Sequence, residues 1–250
     1  MRFLMQLSYN GTGFHGWQRQ NNASSIQQEI EEKLTTIFRV ETAIVGCGRT
    51  DTGVHASQYF AHFETEKDFD CKGLIHKLNS MLPVGIAVQN IQPISNDGHA
   101  RFSATKRSYE YRITKVKDPF LTEQAYRFNL PLNLDIMNKA CEMMLGEKDF
   151  GCFCKANADN HTNLCNVSEA IWTESENMVV FQISAKRFLR NMVRAIVGTM
   201  LEIGQGRMSL EEFQTVLDSK DRTYAGPSVP PHGLYLTAVQ YPSEIFLPKP

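Results

Sequence analysis

Residues 45–56 connect two strand-like runs, at 42–45 and 58–63, and read Val45-Gly46-Cys47-Gly48-Arg49-Thr50-Asp51-Thr52-Gly53-Val54-His55-Ala56. The three glycines permit tight turning and a close approach of the backbone to a ligand. A loop held between two strands can present one side chain rigidly at the mouth of a pocket. The stretch therefore predicts a strand–loop–strand unit in the first half of the chain, with Asp51 as its candidate functional group.

Two known phosphate-binding motifs resemble this loop but fail at a required residue. A P-loop needs a lysine and then a hydroxyl residue after its last glycine, and Val54 and His55 stand there. A dinucleotide fingerprint needs a third glycine at the position that Asp51 occupies. The sequence therefore excludes both nucleotide motifs.

Arg49 lies two residues before Asp51 and is close enough in sequence to pair with it. A nearby guanidinium would keep the carboxylate ionised, as a nucleophile or a charge stabiliser requires. One alternative is that Thr50 and Asp51 only close a turn through hydrogen bonds to the backbone. Another is a metal-dependent hydrolase using Asp51, His55 and His62, although the motif lacks a second nearby carboxylate.

The composition is typical of a soluble globular protein. The 250 residues suffice for one large domain or two compact ones, and 42% of them are hydrophobic and 21% charged. The N-terminus turns polar too soon for a signal peptide, and no run approaches the ~20 apolar residues of a membrane span. We therefore predict a cytoplasmic protein that does not associate with membranes.

Neither the cysteines nor the net charge points to a particular function. None of the six cysteines forms a C-x-x-C pair, which favours reduced thiols. A zinc site from Cys152, Cys154, His161 and Cys165 is conceivable, but its spacing matches no standard site. Because the net charge is −1, any binding to nucleic acid must come from local basic patches.

Hydrophobic periodicity predicts an α+β fold with mostly antiparallel sheet. In the first half it predicts strands at 2–9, 42–45, 58–63, 86–91 and 108–114, a helix from a capping box at Ser25 to Phe38, and a helix at 72–81. In the second half it predicts a helix capped by Asp135 and ending at Gly146, a hairpin of 167–173 and 178–184, a helix at 188–203, a helix after a capping box at Ser209, and a strand at 234–239. We expect two similar lobes, residues 1–115 with the Asp51 loop and residues 116–250 with an arginine-rich helix.

That arginine-rich helix is the second candidate element. At helical spacing, Arg187, Arg190 and Arg194 share one face, while an apolar face packs behind them. No acidic residue neutralises the chain between 186 and 202. A solvated basic face is the alternative, but guanidiniums on a rigid face suit phosphate binding.

Residues 99–112 interleave cations, among them Arg101, with aromatic side chains. This composition is expected where a protein binds a nucleic-acid backbone and stacks on bases. The alternative is an amphipathic strand with Tyr109 and Tyr111 in the core.

Taken together, these stretches strongly resemble the tRNA pseudouridine synthase A family, the tRNA pseudouridine(38-40) synthases. The matching segments occur in the same order from residue 9 to residue 236: Tyr9–Gln18, Gly48–Ala56, His99–Ala104, Tyr109–Tyr111, Asp149–Phe153, Phe188–Gly198 and Gly233–Leu236. The resemblance implies a cofactor-free isomerase, without a metal, that converts uridine to pseudouridine at positions 38, 39 and 40 in the anticodon stem-loop of tRNA. That reaction breaks a C–N bond and makes a C–C bond within one nucleotide.

The resemblance also assigns roles to individual residues. Asp51 aligns with the catalytic aspartate, Tyr109 with the active-site tyrosine, and Arg194 with the arginine that pairs with the aspartate. Arg49 is expected to hold the flipped nucleotide or its phosphate. The basic stretches predict that Arg101, Arg187 and Arg190 also bind the substrate.

The family architecture implied is a homodimer of two α+β lobes whose sheets join into one extended antiparallel sheet, with helices on one face and a basic central cleft. An RNA-binding module without chemistry remains the alternative from another class. Asp51 argues against it, because an anion within a phosphate-binding cleft weakens binding and needs a catalytic reason.

Overall fold

The computed structural model describes residues 1–21, 23–155 and 161–247. The chain divides into two compact units, the first formed by Met1–Lys106 together with the residues from Tyr235 onward, the second by Arg107–Leu234. This division differs from the predicted boundary at 115/116. The physical reason is strand pairing, because the strand from Arg107 pairs within the second unit and the last strand returns to the first.

The first unit is a mainly antiparallel sheet with two helices. Its elements are β1 (Arg2–Tyr9), α1 (Ile26–Phe38), β2 (Ile44–Gly46), β3 (His55–Glu64), α2 (Cys71–Met81), β4 (Ile86–Ile94) and, at the end of the chain, β10 (Leu234–Gln240). The strand order is β4–β1–β3–β10, and β2 pairs with β3. The strand β10 runs parallel to its neighbour β3, with Tyr235 opposite His55.

Local signals explain how the helices of this unit begin. Ser25 caps α1 by accepting a hydrogen bond from the amide of Gln28, as predicted. Every fourth residue of α1 from Ile26 onward is buried, which forms its core-facing stripe. Asp70 caps α2 through the amide of Gly73, a cap that the sequence analysis missed.

The second unit is also a mainly antiparallel sheet, and its described residues form three α-helices. Its elements are β5 (Lys106–Thr114), β6 (Tyr126–Arg127), α3 (Leu134–Met143), β7 (Gly146–Asp149), β8 (Leu164–Glu174), β9 (Met178–Ala185), α4 (Met192–Gly204) and α5 (Leu210–Ser219). The order β5–β9–β8–β7 is antiparallel throughout, and β6 runs parallel to β5. Short 3-10 helices of this unit lie at Pro119–Leu121, Gly151–Phe153, Arg222–Tyr224 and Pro231–Gly233, and another lies at Ser243–Ile245 in the first unit.

The α+β class is therefore confirmed, with five α-helices and mixed, mostly antiparallel strands in the described parts of the chain. The capping box at Ser209 is also confirmed, because its side chain and that of Glu212 bond reciprocally to backbone amides. No helix among the described residues is long and apolar enough to cross a membrane.

The predicted start and the predicted end of the first helix in the second unit were both wrong. Asn133, not Asp135, caps α3, because its side chain accepts the hydrogen bond from the amide of Ile136. That helix ends at Met143, and Gly146, with φ +87°, begins β7 instead of closing the helix.

The arginine-rich helix is shorter than predicted. Asn191 adopts the left-handed conformation, φ 67° and ψ 0°, which interrupts a right-handed helix, so α4 begins at Met192 instead of residue 188. Arg187 and Arg190 therefore precede the helix, and only Arg194 lies on it. The prediction that the three arginines share one helical face was therefore wrong, although the run of basic residues is present.

Candidate active site

The Asp51 loop spans residues 47–54 between β2 and β3 of the first unit. A turn closes it, in which the amide of Val54 donates to the carbonyl oxygen of Asp51 at 3.1 Å. Gly53, with φ +77°, supplies the left-handed conformation that this turn needs. Asp51 itself is half-buried, whereas Thr50 immediately before it is buried.

Residues from β1 and the segment after it hold Thr50 in place. The hydroxyls of Thr50 and Tyr9 form a buried hydrogen bond of 2.9 Å. The amide of Trp17 donates to the Thr50 carbonyl oxygen at 3.2 Å. Both the side chain and the backbone of the residue before Asp51 are therefore fixed by the N-terminal part of the chain.

An aromatic stack supports the beginning of the loop. The rings of Trp17 and Tyr59 stack with centroids 4.1 Å apart, and the Tyr59 hydroxyl donates to the carbonyl oxygen of Gly48. Gly46 lies directly against this stack, where a Cβ atom would come within 2.6 Å of the indole. Only glycine fits at that position without moving the stack.

His55 supports the end of the loop. Its Nδ1 accepts a hydrogen bond from the amide of Gly11 at 3.0 Å, and its ring stacks on Tyr235 at 4.6 Å. His62 is engaged similarly, its Nδ1 accepting from the amide of Ala100 at 3.1 Å. Because both imidazoles already bond to backbone amides, they serve the architecture of the unit.

The metal-dependent alternatives find no support in the described residues. Within residues 1–21, 23–155 and 161–247 no group of three His, Cys, Asp or Glu side chains could hold a metal ion. Burial raises the pKa of the Cys152 thiol to about 12 and that of Cys165 to about 11. Both thiols are therefore protonated at neutral pH in the metal-free protein.

Arg49 and Arg101, the two other candidate site residues of this unit, lie in different segments. Arg49 is exposed and belongs to the same loop as Asp51. Arg101 is exposed in the turn after His99, with its guanidinium carbon 5.6 Å from the centre of the Phe102 ring. That turn bonds to His62, seven residues along β3 from His55, so Arg101 lies roughly 20 Å from the Asp51 loop.

In the second unit, β5 separates the two tyrosines that the sequence left ambiguous. Tyr111 is fully buried, and its hydroxyl donates to the carbonyl oxygen of Pro230 at 2.8 Å. Tyr109 is half-buried, and its ring meets that of Phe188 edge-on with centroids 5.0 Å apart. The core-packing alternative therefore holds for Tyr111 but not for Tyr109.

The chain around residue 229 fixes Arg194. Its Nε donates to the carbonyl oxygen of Val229 at 2.8 Å, and the amide of Val229 donates back to the carbonyl oxygen of Arg194. The side chain of Asn191 bonds to the Ser228 hydroxyl at 2.7 Å, which joins the start of α4 to the same segment. Arg194 is half-buried, so its guanidinium is oriented by backbone before any ligand binds.

The remaining two arginines have looser surroundings. Arg187 is half-buried and donates to the carbonyl oxygen of Thr162 at 3.1 Å. Arg190 is exposed, and its carbonyl oxygen accepts from the amide of Lys155. Both lie in the segment between β9 and α4, and Arg190 stands in a turn in which the amide of Met192 donates to the carbonyl oxygen of Leu189.

Comparison with known proteins supports one family. A family model described as tRNA pseudouridine synthase matches residues 140–242. The chain is 48% identical over 246 residues to a tRNA pseudouridine synthase A of Parabacteroides distasonis, covering 98% of both chains. Proteins of the same name from Bacteroides fragilis and Francisella philomiragia are 45% and 37% identical, each over 98% of this chain. Since such identity extends over nearly the whole length, the chain belongs to the tRNA pseudouridine synthase A family and is an isomerase that converts uridine of tRNA to pseudouridine.

Proposed function

We propose that the protein modifies positions 38, 39 and 40 of the tRNA anticodon stem-loop, with Asp51 as the acting group and no cofactor. The observation that carries this proposal is the Asp51 loop, in which the segment matching the family motif is fixed by contacts on both sides of the carboxylate. A rigid loop suits a group that must meet one carbon or proton of a bound nucleotide.

The reaction balances without any further reactant. The bond between N1 of uracil and C1′ of ribose breaks, a bond between C5 and C1′ forms, and the proton lost from C5 is balanced by one gained at N1. Asp51 attacks the base, attacks the sugar or removes a sugar proton, and each route needs an ionised carboxylate. We infer that Arg194 supplies the pairing cation, since an opposite charge nearby favours the ionised form.

Tyr109 is proposed to stack on the flipped uracil. Extruding a base from a stem costs a few kcal/mol, and stacking on an aromatic ring returns ~1–3 kcal/mol of that. The half-buried position of Tyr109 beside Phe188 is consistent with a ring that is supported on one side and accessible on another.

The other candidate arginines are proposed to bind phosphates. Arg49 would act next to the target nucleotide, and Arg187 and Arg190 would bind the backbone around it. Since Arg101 lies roughly 20 Å from the Asp51 loop, its phosphate would belong to another part of the tRNA. From the family resemblance we further propose a cytoplasmic homodimer whose two similar lobes join their sheets and carry a basic central cleft.

The test uses purified protein and unmodified tRNA transcripts in the presence of a chelator. Transcripts that keep uridine at only one of positions 38, 39 and 40 should each gain pseudouridine, and a transcript with cytidine at all three should gain none. Modification elsewhere in the last transcript would refute the proposed site.

The Asp51→Asn variant tests the acting group, because it keeps the shape and removes the charge. We expect Asp51→Asn to bind tRNA as tightly as the wild-type protein or slightly more tightly, and to form no detectable pseudouridine. An RNA-binding module without chemistry predicts binding with no conversion by either protein. Turnover of Asp51→Asn within about tenfold of wild type would rule out this role, since general acid–base groups contribute 10²–10⁴-fold.

A further inference from the structure

The segment of residues 9–17, here called the N-terminal clamp, contacts the Asp51 loop on both sides of the carboxylate. Upstream of Asp51, the Tyr9 hydroxyl and the Trp17 amide both bond to Thr50. Downstream, the amide of Gly11 donates to His55. Two of these bonds reach the loop and the third reaches the first residue of β3 directly after it, and none uses the Asp51 side chain.

Two glycines of the clamp permit this close approach. A Cβ atom at Gly16 would overlap the carbonyl oxygen of Thr50 and lie 3.1 Å from the carbonyl carbon of Asp51. A Cβ atom at Gly11 would overlap the carbonyl oxygen of Val54. In both cases the obstructing atoms belong to the backbone and cannot rotate away, so a side chain at either glycine must displace the loop.

We propose that the N-terminal clamp positions Asp51 for the reaction, with Gly16 as the positioning residue, a proposal that rests on the proposed role of Asp51. Gly16 acts through the peptide backbone of residues 50–52 and does not touch the substrate. Its effect should appear in the rate of the chemical step, because a misplacement of about 1 Å costs a reacting group about 10²-fold in rate. Binding of tRNA should change little, since Arg101, Arg187 and Arg190 lie outside the displaced loop.

The chain supplies a matched control three residues away. Gly13 has φ +82° and Gly16 has φ +84°, so alanine at either position carries the same left-handed backbone strain. A Cβ atom at Gly13 meets no heavy atom within 4 Å, whereas one at Gly16 meets the Asp51 backbone. The difference between the two variants therefore isolates the displacement of the loop.

The experiment compares Gly13→Ala and Gly16→Ala by melting temperature, tRNA affinity and single-turnover rate of pseudouridine formation. We expect similar tRNA affinities for both, a rate near wild type for Gly13→Ala and a rate about 10²-fold lower for Gly16→Ala. Hydrogen exchange at the Val54 amide, which bonds to the Asp51 carbonyl, should be faster in Gly16→Ala alone. Equal rates for the two folded variants would overturn the proposal.

A second pair of variants tests the clamp if Gly16→Ala does not fold. Thr50→Val removes the hydroxyl that bonds to Tyr9, and Thr50→Ser keeps it. Slower turnover of Thr50→Val with unchanged affinity, restored in Thr50→Ser, supports the clamp, and equal turnover of the two contradicts it. Asp51→Asn, assayed alongside, separates the two proposals. If Asp51→Asn is active, the proposed role of Asp51 is refuted. If Asp51→Asn is inactive and Gly13→Ala and Gly16→Ala have equal single-turnover rates, only the clamp is refuted.

Discussion

Replacing Glu31, a charged residue on a helix, by alanine should destabilise the first unit. Glu31 lies on α1 and is buried, with 7% of its surface exposed. Its Oε1 accepts hydrogen bonds from the buried amide of Ile44 at 3.1 Å and from the Gln27 side chain at 2.9 Å. Its Oε2 accepts from Arg19 at 3.2 Å. The carboxylate therefore joins α1 to the first residue of β2, the strand that leads into the Asp51 loop.

The magnitude follows from the partners that Glu31→Ala leaves behind. The buried Ile44 amide loses its acceptor, which costs about 1–3 kcal/mol. The ion pair with Arg19 adds at most about 1 kcal/mol, because that arginine side chain is 55% exposed. Gln27 keeps the carbonyl oxygen of Ile44 as a partner, so it adds little. We expect a loss of about 1–4 kcal/mol, or about 2–16 °C in melting temperature.

Urea and thermal unfolding measure this loss, followed by the fluorescence of Trp17 in the same unit with Trp172 of the second unit replaced by phenylalanine in every protein compared. Glu31→Gln retains an acceptor for the Ile44 amide and should lose less than Glu31→Ala. Glu32→Ala is the control, because Glu32 is exposed and its change should stay within about 0.5 kcal/mol. If Glu31→Ala were no less stable than Glu32→Ala, the buried carboxylate would not hold β2.

Further predictions concern the substrate-binding residues and a buried histidine. Tyr109→Phe should keep most tRNA affinity, because stacking needs only the ring, and should lose roughly 10²–10⁴-fold in single-turnover rate if the hydroxyl moves a proton. Arg187→Ala should weaken tRNA binding and flatten its dependence on salt concentration; an affinity that ignores salt would exclude phosphate contacts. Burial, then the charges of His99 and Arg2, lowers the pKa of His62 from 6.5 to about 4, so the unfolded chain binds this proton more readily and stability should fall as the pH drops from 6.5 towards 4. His62→Asn, which offers a side-chain oxygen to the same amide, should show a shallower fall in pH-dependent urea unfolding, and equal slopes would contradict the assignment.

Local signals predicted much of the fold, because they are complete within a few residues. Ser25 and Ser209 cap the helices that follow them, and the amide that each side chain bonds lies three residues away. The start of α4 could not be found in this way. The apolar period continues through residues 188–203, and periodicity carries no information about the left-handed backbone of Asn191.

The candidate site was predictable only where its residues are neighbours in sequence. Asp51 and Arg49 stand in one glycine-rich loop, so their proximity follows from the chain itself. The contacts of Thr50 with Tyr9 and Trp17 join residues more than 30 positions apart, and no local pattern specifies such a pairing. The glycines after Tyr9 were the available signal, since a segment that approaches other backbone needs residues without side chains.

The return of β10 to the first unit has a consequence for how the protein is made on the ribosome. The second unit is continuous in sequence, but the first unit lacks β10 until the residues from Tyr235 onward have been synthesised. Tyr235 and Leu236 pair with His55 and Ala56, the residues that follow the Asp51 loop, so the end of that loop gains its neighbouring strand last. The unit made first must therefore wait with an open sheet edge at β3 until its last strand is made, and an open edge is a surface that favours association with other chains.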